Sequence, residues 1–321
     1  MKRIFLVLLG FLLVSAAQAQ SWPTKPITIL VPLGAGSSVD IIARLYAGEL
    51  SKILGQEVRV DLRPGAGGTT GTAFVAKSPA DGYMLTIASN GTHAINMQMY
   101  AKPGYDAIRD FAPIALVASV VNVMIVPPGN PAKTASDVIS AARLRKPGEL
   151  TYSSGGNGTT HHFSGVIFSG MTGLSLRHVP YKASVDGIND VMNGKISMGF
   201  FNMPTVLTQI REGKLKGLAV TGMERSSFLP DLPTLDEAGL KGFEVNAWFG
   251  FVAPAGTPEL IIERLNREIN RITAHPDIHR QLSEQGFEIY PPQSAQDFGR
   301  FMQQELDKWT PIVKASGIRI E

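Results

Sequence analysis

The chain has 321 residues, a formal net charge of +3 and no cysteine. Its 30 basic and 27 acidic residues are too evenly balanced to indicate a polyanionic partner such as nucleic acid. Without cysteine the protein has neither disulfides nor thiolate metal sites. A chain of this length is more readily divided into two domains than folded around one core.

The N-terminus predicts a cleaved secretion signal. Lys2 and Arg3 form a short basic region, an apolar core follows at residues 4–14, and an A-Q-A tripeptide at 17–19 fits a cleavage site. We therefore expect residues 1–19 to be a signal peptide and the mature protein to be exported. A retained anchor is the alternative, although the apolar core is short for a bilayer span.

Strand-like apolar runs alternate with helical stretches along the rest of the chain. In the first predicted helix Ile42, Leu45, Tyr46 and Leu50 recur at helical spacing. This alternation is typical of α/β domains with mostly parallel sheets. The predicted strands cover residues 27–32, 58–62, 84–88, 121–126, 150–153, 197–201, 217–220 and 249–253.

Several helix ends carry recognisable signals. Thr134 begins a capping box, and Ser294 begins another before the last helix. Thr257 reads as an N-cap followed by Pro258 at the first helical position. Pro311 is expected to kink or end the last helix, because proline removes a helical hydrogen bond.

Two extended runs are placed to cross between domains, at residues 119–126 and 243–250. Two crossings make the first domain discontinuous, with the C-terminal segment returning to it. The predicted organisation is a first domain of residues 22–122 and 248–321 and a second domain of residues 123–247.

Four segments rich in Gly, Ser and Thr lie at or near predicted helix starts, at residues 34–38, 64–71, 89–93 and 153–160. The first turn of a helix has unpaired N–H groups and partial positive charge, and glycine lets an anion approach them. Two such turns facing one cleft would suit a ligand with a carboxylate at each end. The alternative is that they are ordinary turns that need glycine for their geometry.

The common cofactor and catalytic motifs are absent from the sequence. After Gly34 and Gly36, Val39 stands where a dinucleotide fingerprint needs its third glycine. There is no phosphate-binding loop with its lysine, no G-x-S-x-G nucleophile elbow and no H-E-x-x-H. His161 and His162 are adjacent, so a helix would point them apart and not at one metal ion. We therefore predict no cofactor and no metal.

Some side chains near the glycine turns have two interpretations. His93 either donates to a ligand or caps its helix. Asp40 and Asp186 are favoured by the helix dipole near helix starts, and either could instead accept from a ligand amine or hydroxyl. Tyr181 and Phe201 are candidates for cleft walls or for core packing.

Six motifs occur in order along the chain: W-P-T-K-P-I-T at 22–28, V-P through D at 31–40, V-D-L-R-P-G-A-G-G at 60–68, S-P-A-D-G-Y at 78–83, H-V-P-Y-K at 178–182 and L-P-D-L-P-T at 229–234. Together they resemble the tripartite tricarboxylate transporter receptor family, also called the Bug family of periplasmic solute-binding proteins. The resemblance covers nearly the whole mature chain.

The resemblance implies a type II periplasmic-binding-protein fold. Two Rossmann-like α/β domains would surround a central cleft, joined by two crossing strands, and would close on the ligand like a venus flytrap. It also implies capture of a small carboxylate, for which we expect a dicarboxylate, and delivery to the membrane permease of a tripartite tricarboxylate transporter. The protein would be a monomer without catalytic residues.

Carrying the family's ligand-binding positions onto this sequence gives the predicted site. The first loop and the next wall come from the first domain, and the opposing helix start and the back of the cleft from the second. These residues are Leu33, Gly34, Ala35, Gly36, Ser37, Asp40, Asn90, Gly91, Thr92, His93, Gly155, Gly158, Thr159, His162, Lys182, Ala183, Asp186, Phe201 and Asn202.

The chain departs from the family pattern in and around these loops. Leu33 replaces the usual aromatic residue, Ser37 replaces a glycine, and Ala183 stands where glycine is usual. Val166 and Ser197 stand where the family often has glutamate and aspartate. We expect the carboxylate site to persist and the specificity pocket beside it to differ from that of typical members.

Two alternative functions remain at this stage. A periplasmic sensor that feeds a signalling receptor would use the same fold and ligand. A hydrolase on a similar scaffold is less favoured, because the expected motifs are missing. The ligand class also stays open among aliphatic dicarboxylates, tricarboxylates, amino acids and aromatic acids.

Overall fold

A computed structural model describes residues 22–321. The predicted signal peptide therefore lies outside the described residues. Within residues 22–321 no helix is long and apolar enough to cross a membrane.

The strands follow the predicted pattern with two additions. Short β6 and β10 were not predicted, because β6 is largely exposed and β10 has only two residues. The strands are β1 (Ile27–Val31), β2 (Val58–Leu62), β3 (Met84–Ser89), β4 (Phe111–Val126), β5 (Thr151–Ser154), β6 (Arg177–Pro180), β7 (Met198–Asn202), β8 (Lys216–Val220), β9 (Asn246–Pro254) and β10 (Glu288–Ile289).

Helices connect most of the strands. A 3-10 turn (Ala66–Gly68) precedes α2, and a π-helical turn (Gly91–Ile95) precedes α3. The α-helices are α1 (Ser38–Leu54), α2 (Thr69–Ala76), α3 (Asn96–Met99), α4 (Ala135–Arg143), α5 (Thr160–Thr172), α6 (Ser184–Met192), α7 (Met203–Arg211), α8 (Glu259–Thr273), α9 (Pro276–Glu284) and α10 (Ala295–Ser316).

The strands form one continuous sheet in the order β2-β1-β3-β9-β4-β7-β5-β6, and β8 and β10 also pair with β4. The strands β2, β1 and β3 are parallel, as are β6, β5 and β7. We call the part built on β1–β3 the first lobe and the part built on β5–β8 the second lobe. The expected parallel pairing holds for β1–β3 and for β5–β7, whereas β4 pairs antiparallel with β7, β8 and β9, and β9 pairs antiparallel with β3.

Strand β4 runs through both lobes. Residues 111–121 pair with β9, whereas residues 122–126 pair with β7 and β8. The sequence predicted only its end, because Pro113 and two irregularities in register interrupt the pattern of the first half. The partner switch after Val121 coincides with the predicted domain boundary at residue 122, and the boundaries themselves stay a prediction.

The helix-end predictions have mixed outcomes. Thr134 forms the predicted capping box, whereas at Ser294 only one half of it forms, in which the Ser294 side chain accepts a hydrogen bond from the Asp297 N–H. The N-cap prediction for Thr257 is wrong: Pro258 is the N-cap of α8, and the Thr257 hydroxyl donates to the Pro254 carbonyl. Helix α10 does not end at Pro311 but continues to Ser316.

Helix α10 packs against the cores of both lobes. Phe298 and Met302, near its beginning, lie in a buried cluster with Trp248 of β9. Trp309 and Val313, nearer its end, lie in a different cluster that contains Phe163 of α5. One helix therefore contacts both sides of the crossing between the lobes.

Candidate functional site

The first wall of the cleft, residues 33–40, is the turn from β1 into α1. Ser37 is the N-cap of α1, and its hydroxyl accepts a hydrogen bond from the Asp40 N–H at 3.3 Å. The Asp40 carboxylate accepts from the Gly36 N–H at 2.9 Å and lies 2.8 Å from Nε of Arg44. Asp40 thus orders the turn itself, which is the helix-start role that its position allowed.

The second wall, residues 155–162, is the turn from β5 into α5. Thr159 caps α5: its hydroxyl accepts from the His162 N–H at 3.3 Å and donates to the Gly156 carbonyl at 2.8 Å. Nδ1 of His162 accepts from the Gly158 N–H at 3.2 Å. The ring of His162 stacks on that of His178, with centroids 4.1 Å apart. These contacts fix the loop from within the second lobe.

His161 lies between two backbone donors of the second lobe. Its Nδ1 is 3.2 Å from the Gly155 nitrogen, and its Nε2 is 3.3 Å from the Asn202 nitrogen. Burial lowers the pKa of His161 to about 4, so the ring is neutral near pH 7. A neutral imidazole accepts at one nitrogen only. One of the two N–H groups is therefore available to another acceptor.

The two lobes meet across the cleft. Nδ2 of Asn202, at the end of β7, donates to the Ser38 hydroxyl at 3.0 Å. Oδ1 of Asn202 is buried and accepts no hydrogen bond from the described residues. Asn202 is therefore both a contact between the lobes and a polar group facing the enclosed space.

Glycines allow the closest contacts between the two lobes. A Cβ added to Gly34 would lie 2.9 Å from Cβ of Ala183. A Cβ on Gly158 would lie 1.8 Å from Oδ1 of Asn96, and one on Gly67 would lie 1.8 Å from the Asn157 carbonyl oxygen. Real side chains cannot occupy such positions, so this closed arrangement requires glycine at these sites.

The residues around the two turns enclose a cavity of about 30 Å³, which holds no more than a few water molecules, since one water needs roughly 10–15 Å³. A dicarboxylate is several times larger, so the walls must separate to admit one. No charged side chain of residues 22–321 lines the cavity. The lining residues are Leu33, Ser37, Ser38, Val39, Gly67, Ser89, Asn90, Gly91, Gly155, Thr159, Thr160, His161, Ser184, Asn202, Ala247 and Phe249.

The beginnings of three helices face this cavity. Residues 38 and 39 open α1, residues 160 and 161 open α5, and Ser184 opens α6. The hydroxyls of Ser37 and Thr159 each accept a hydrogen bond from the third backbone N–H of the helix that they cap, α1 and α5 respectively. The earlier N–H groups have no acceptor within their helices. The cavity can therefore stabilise negative charge with neutral donors and helix dipoles.

The structure brings some of the predicted site residues to the cavity and places others elsewhere. Ala35, Gly36, Lys182 and Asp186 are exposed at the surface. Gly34, Ala183 and Gly158 form the contacts between the walls. The predicted residues that line the cavity are Leu33, Ser37, Asn90, Gly91, Gly155, Thr159 and Asn202.

The remaining predicted residues support the walls from behind. Asp40 and His162 order the two turns, as described above. Thr92 Oγ1 lies 2.9 Å from Nδ1 of His93, whose ring is buried against Phe111. Burial lowers the pKa of His93 to about 3. Phe201 is fully buried beneath the ring of His161. For these residues, direct ligand contact stays a prediction.

Sequence reasoning missed several residues that line the cavity. Some directly follow predicted residues, as Thr160 follows Thr159 and Ser38 follows Ser37, and the helix starts could have indicated them. Others come from separate segments, including Gly67 and the inward-facing Ala247 and Phe249 of β9. Within residues 22–321, no three His, Asp or Glu side chains are grouped to hold a metal ion.

The sequence and the fold both have close counterparts. The family described as tripartite tricarboxylate transporter family receptor matches residues 42–318. BugT of Bordetella pertussis strain Tohama I is 32% identical over 320 residues, covering 99% of this chain and 97% of BugT.

Two solved structures from Rhodopseudomonas palustris share the fold. Rpa4515 with adipate is 37% identical, with a TM-score of 0.89, covering 93% of this chain and 99% of that protein. MatC with bound malate is 28% identical, with a TM-score of 0.87, covering 91% of this chain and 100% of that protein. The predicted type II periplasmic-binding-protein fold is confirmed.

Proposed function

Because this chain belongs to the tripartite tricarboxylate transporter receptor family, we propose that it captures a small dicarboxylate between its walls and delivers it to a permease of that transporter type. Ligand binding would favour the closed arrangement over the open one. The protein acts in the periplasm as a monomer, and none of its residues has a catalytic role.

One observation carries this proposal: the starts of α1 and α5 both line a cavity that has no charged side chain among its lining residues in the described part of the chain, residues 22–321. Free N–H groups and the hydroxyls of Ser37 and Ser38 would hold one carboxylate at the first wall. The N–H groups of the second wall, with the one that His161 leaves free, would hold the other. Donors from both lobes are needed, so a ligand with two carboxylates stabilises closure better than a ligand with one.

The lining also favours a dicarboxylate without an amino group. Recognition of an amine needs a carboxylate in the cavity, but Asp40 is engaged by Gly36 and Arg44, and Asp186 is exposed. Leu33, Val39 and Phe249 supply apolar lining. The adipate and malate in the two R. palustris structures are dicarboxylates without an amino group.

Thermal unfolding of the mature protein against adipate, malate, aspartate and the corresponding diamides tests the proposal. A ligand that binds only the folded state stabilises it by about 2.7 kcal/mol at a hundred times its dissociation constant. We expect the midpoint to rise with dicarboxylates and to stay unchanged with diamides. Equal shifts with acids and diamides would contradict recognition of the carboxylates.

A charge placed in the cavity gives a sharper test. Asn202→Asp keeps the side-chain shape, and the Ser38 hydroxyl can donate to the new carboxylate. The added charge repels a ligand carboxylate nearby by several kcal/mol (~4 kcal/mol for charges 4 Å apart at intermediate dielectric). The shift produced by a dicarboxylate should therefore vanish in Asn202→Asp. It should persist in Asn189→Asp, which adds the same charge on the exposed face of α6.

Delivery to a permease needs a separate experiment. Uptake of the dicarboxylate identified above is measured in cells that express the transporter with this protein or with Asn202→Asp. We expect uptake only with the binding-competent protein. Normal uptake without any binding-competent protein, together with ligand-dependent capture of a signalling receptor, would favour the sensing role instead.

A further inference from the structure

Asn90 lines the cavity, and its side-chain amide is engaged within the protein. Its Oδ1 accepts a hydrogen bond from the backbone N–H of Trp248 at 2.9 Å. Its Nδ2 donates to Oε2 of Glu305, also at 2.9 Å. Both ends of the amide are thus used inside the protein. A position predicted to bind ligand thus also connects the cleft to helix α10.

The contact between Asn90 and Trp248 extends the ladder between β3 and β9. The last backbone pair of that ladder joins Ser89 and Phe249. The chain enters the π-helical turn after Ser89 and offers no further backbone carbonyl to the ladder. The Asn90 side-chain oxygen therefore accepts the hydrogen bond from the Trp248 N–H instead. Ala247 and Phe249, the neighbours of Trp248, line the cavity. This bond therefore holds two segments of the cavity wall together.

Glu305 determines the orientation of the Asn90 amide. Its Oε2 accepts from Nδ2 of Asn90 and from Nε1 of the Trp248 indole, both at 2.9 Å. Without this acceptor the amide could flip, and Nδ2 would then face the Trp248 N–H, donor against donor. Within the part of the chain that the structure describes, Glu305 forms no ion pair. Its hydrogen bonds to Asn90 and to the Trp248 indole both hold the Asn90 amide and Trp248 in place.

Glu305 lies at the point where α10 passes from one core to the other. One turn before it Met302 packs in the cluster with Trp248, and one turn after it Trp309 packs in the cluster with Phe163. Glu305 also borders a surface cavity of about 400 Å³, so its truncation would enlarge that cavity without creating a sealed void.

We propose that Glu305 is a positioning residue for ligand binding, acting through the Asn90 amide on the wall formed by the Asn90 segment and β9. The expected effect on ligand binding rests on the proposed function, whereas the expected effect on local structure does not. Glu305 is not among the residues that line the cavity in the cleft, so its effect reaches the cleft through the Asn90 amide.

The first experiment compares Glu305→Ala, Glu305→Gln and the control Glu263→Ala, which truncates an exposed glutamate of α8. Adipate is the probe for isothermal titration calorimetry. We expect Glu305→Ala to weaken adipate binding roughly tenfold, within the range for residues that act on a site without touching its ligand. Glu305→Gln retains an oxygen acceptor and should bind within about threefold of wild type. Glu263→Ala should bind as wild type.

A double-mutant cycle tests the route. If Glu305 acts through Asn90, then Asn90→Ala combined with Glu305→Ala should bind adipate no more weakly than Asn90→Ala alone. Additive losses would show that Glu305 affects the cleft by another route, which would overturn the proposal.

Amide hydrogen exchange on the ligand-free protein gives the readout that is independent of the ligand. Glu305→Ala should speed exchange at Trp248 and residues 90–95, and Glu305→Gln should restore protection. Failure of wild type to bind adipate would count against the proposed function, while the exchange result would still decide this inference. Unchanged local exchange in Glu305→Ala, or lower stability with unchanged exchange and affinity, would overturn it.

Discussion

The two walls of the cleft perform the same task with different chemistry. Both order a turn before a helix start, and both use a hydroxyl N-cap, Ser37 or Thr159. The first wall adds a carboxylate, Asp40, which accepts from the Gly36 N–H and lies beside Arg44. The second wall adds two buried imidazoles, those of His161 and His162, which accept backbone N–H groups. A charged acceptor and neutral acceptors thus hold equivalent turns.

This difference predicts that acid destabilises the second wall more than the first. Burial keeps the pKa of His161 at about 4 and that of His162 at about 3, so folding requires both rings to be neutral. An unfolded chain takes up those protons below about pH 6.5. The second wall therefore favours unfolding as the pH falls from 6.5 towards 3, before the rings titrate in the folded protein.

The largest effect is expected from Gly158→Ala in the second wall. Its Cβ would lie 1.8 Å from Oδ1 of Asn96 across the cleft. Relieving that overlap should make closure of the cleft less favourable by about 3 kcal/mol. Calorimetry should then show a loss of roughly a hundredfold in dicarboxylate affinity.

The control for this variant is Gly173→Ala. Gly173 has a similar left-handed φ of +70° and open space around its Cβ position. It shares the backbone strain without the clash, so its affinity should match wild type. Similar losses of affinity in both variants would mean that strain, and not contact between the walls, is responsible.

The second prediction concerns His162→Asn. Asparagine can accept from the Gly158 N–H but does not titrate. In wild type we expect His162 to account for a loss of about 2 kcal/mol of unfolding free energy between pH 7 and pH 5. Urea unfolding across this range should show a slope for His162→Asn that is lower by up to about 1.4 kcal/mol per pH unit.

The pH measurement has its own control in His279→Asn, on the exposed surface of α9. This variant should leave the slope of stability with pH unchanged. An unchanged slope in His162→Asn would show that the second wall does not carry the acid sensitivity.

The third prediction returns to the first wall. In Gly34→Ala the new Cβ lies 2.9 Å from Cβ of Ala183. Gly34 has no left-handed φ, so the open form is unstrained and closure alone is penalised. We expect dicarboxylate affinity to fall about tenfold, which corresponds to about 1.4 kcal/mol. Adding Ala183→Gly should restore part of the affinity.

Gly48→Ala is the matched control, because Gly48 lies on the exposed face of α1 with nothing near its Cβ position. It should bind as wild type. A Gly34→Ala protein with wild-type affinity would contradict the assignment of this contact to the closed state.

The smallest effect is expected from Ser37→Ala. Loss of the N-cap should lower the unfolding free energy by about 1 kcal/mol, and loss of a cavity hydroxyl should weaken binding a few-fold. Ser294→Ala removes the N-cap of α10 outside the cavity. It should lower stability similarly without changing affinity. Equal affinity in the two variants would remove Ser37 from the ligand contacts.

Much of the fold could be predicted from local pattern. The run 27–32, its glycine turn and the helical spacing of Ile42 and Leu50 predicted β1 and α1 because both elements are specified by neighbouring residues. The first half of β4 could not be predicted in the same way, since its pairing with β9 joins residues more than a hundred positions apart. The prediction that Pro311 would kink or end the last helix could not be narrowed from the sequence for a related reason: α10 continues past Pro311 and packs against both cores.

The sequence by itself determined the family, the loops that could carry a site and the absence of thiol chemistry, because these depend on residue identity and local spacing. Only the tertiary structure decided which atoms face the cavity. In the structure the Asp40 carboxylate accepts a hydrogen bond from the Gly36 N–H, and His161 rather than His162 lines the cavity. The Asn90 amide donates to Glu305, which follows it by 215 positions. A side chain's direction depends on which donors and acceptors packing brings near it, and those partners are distant in the chain.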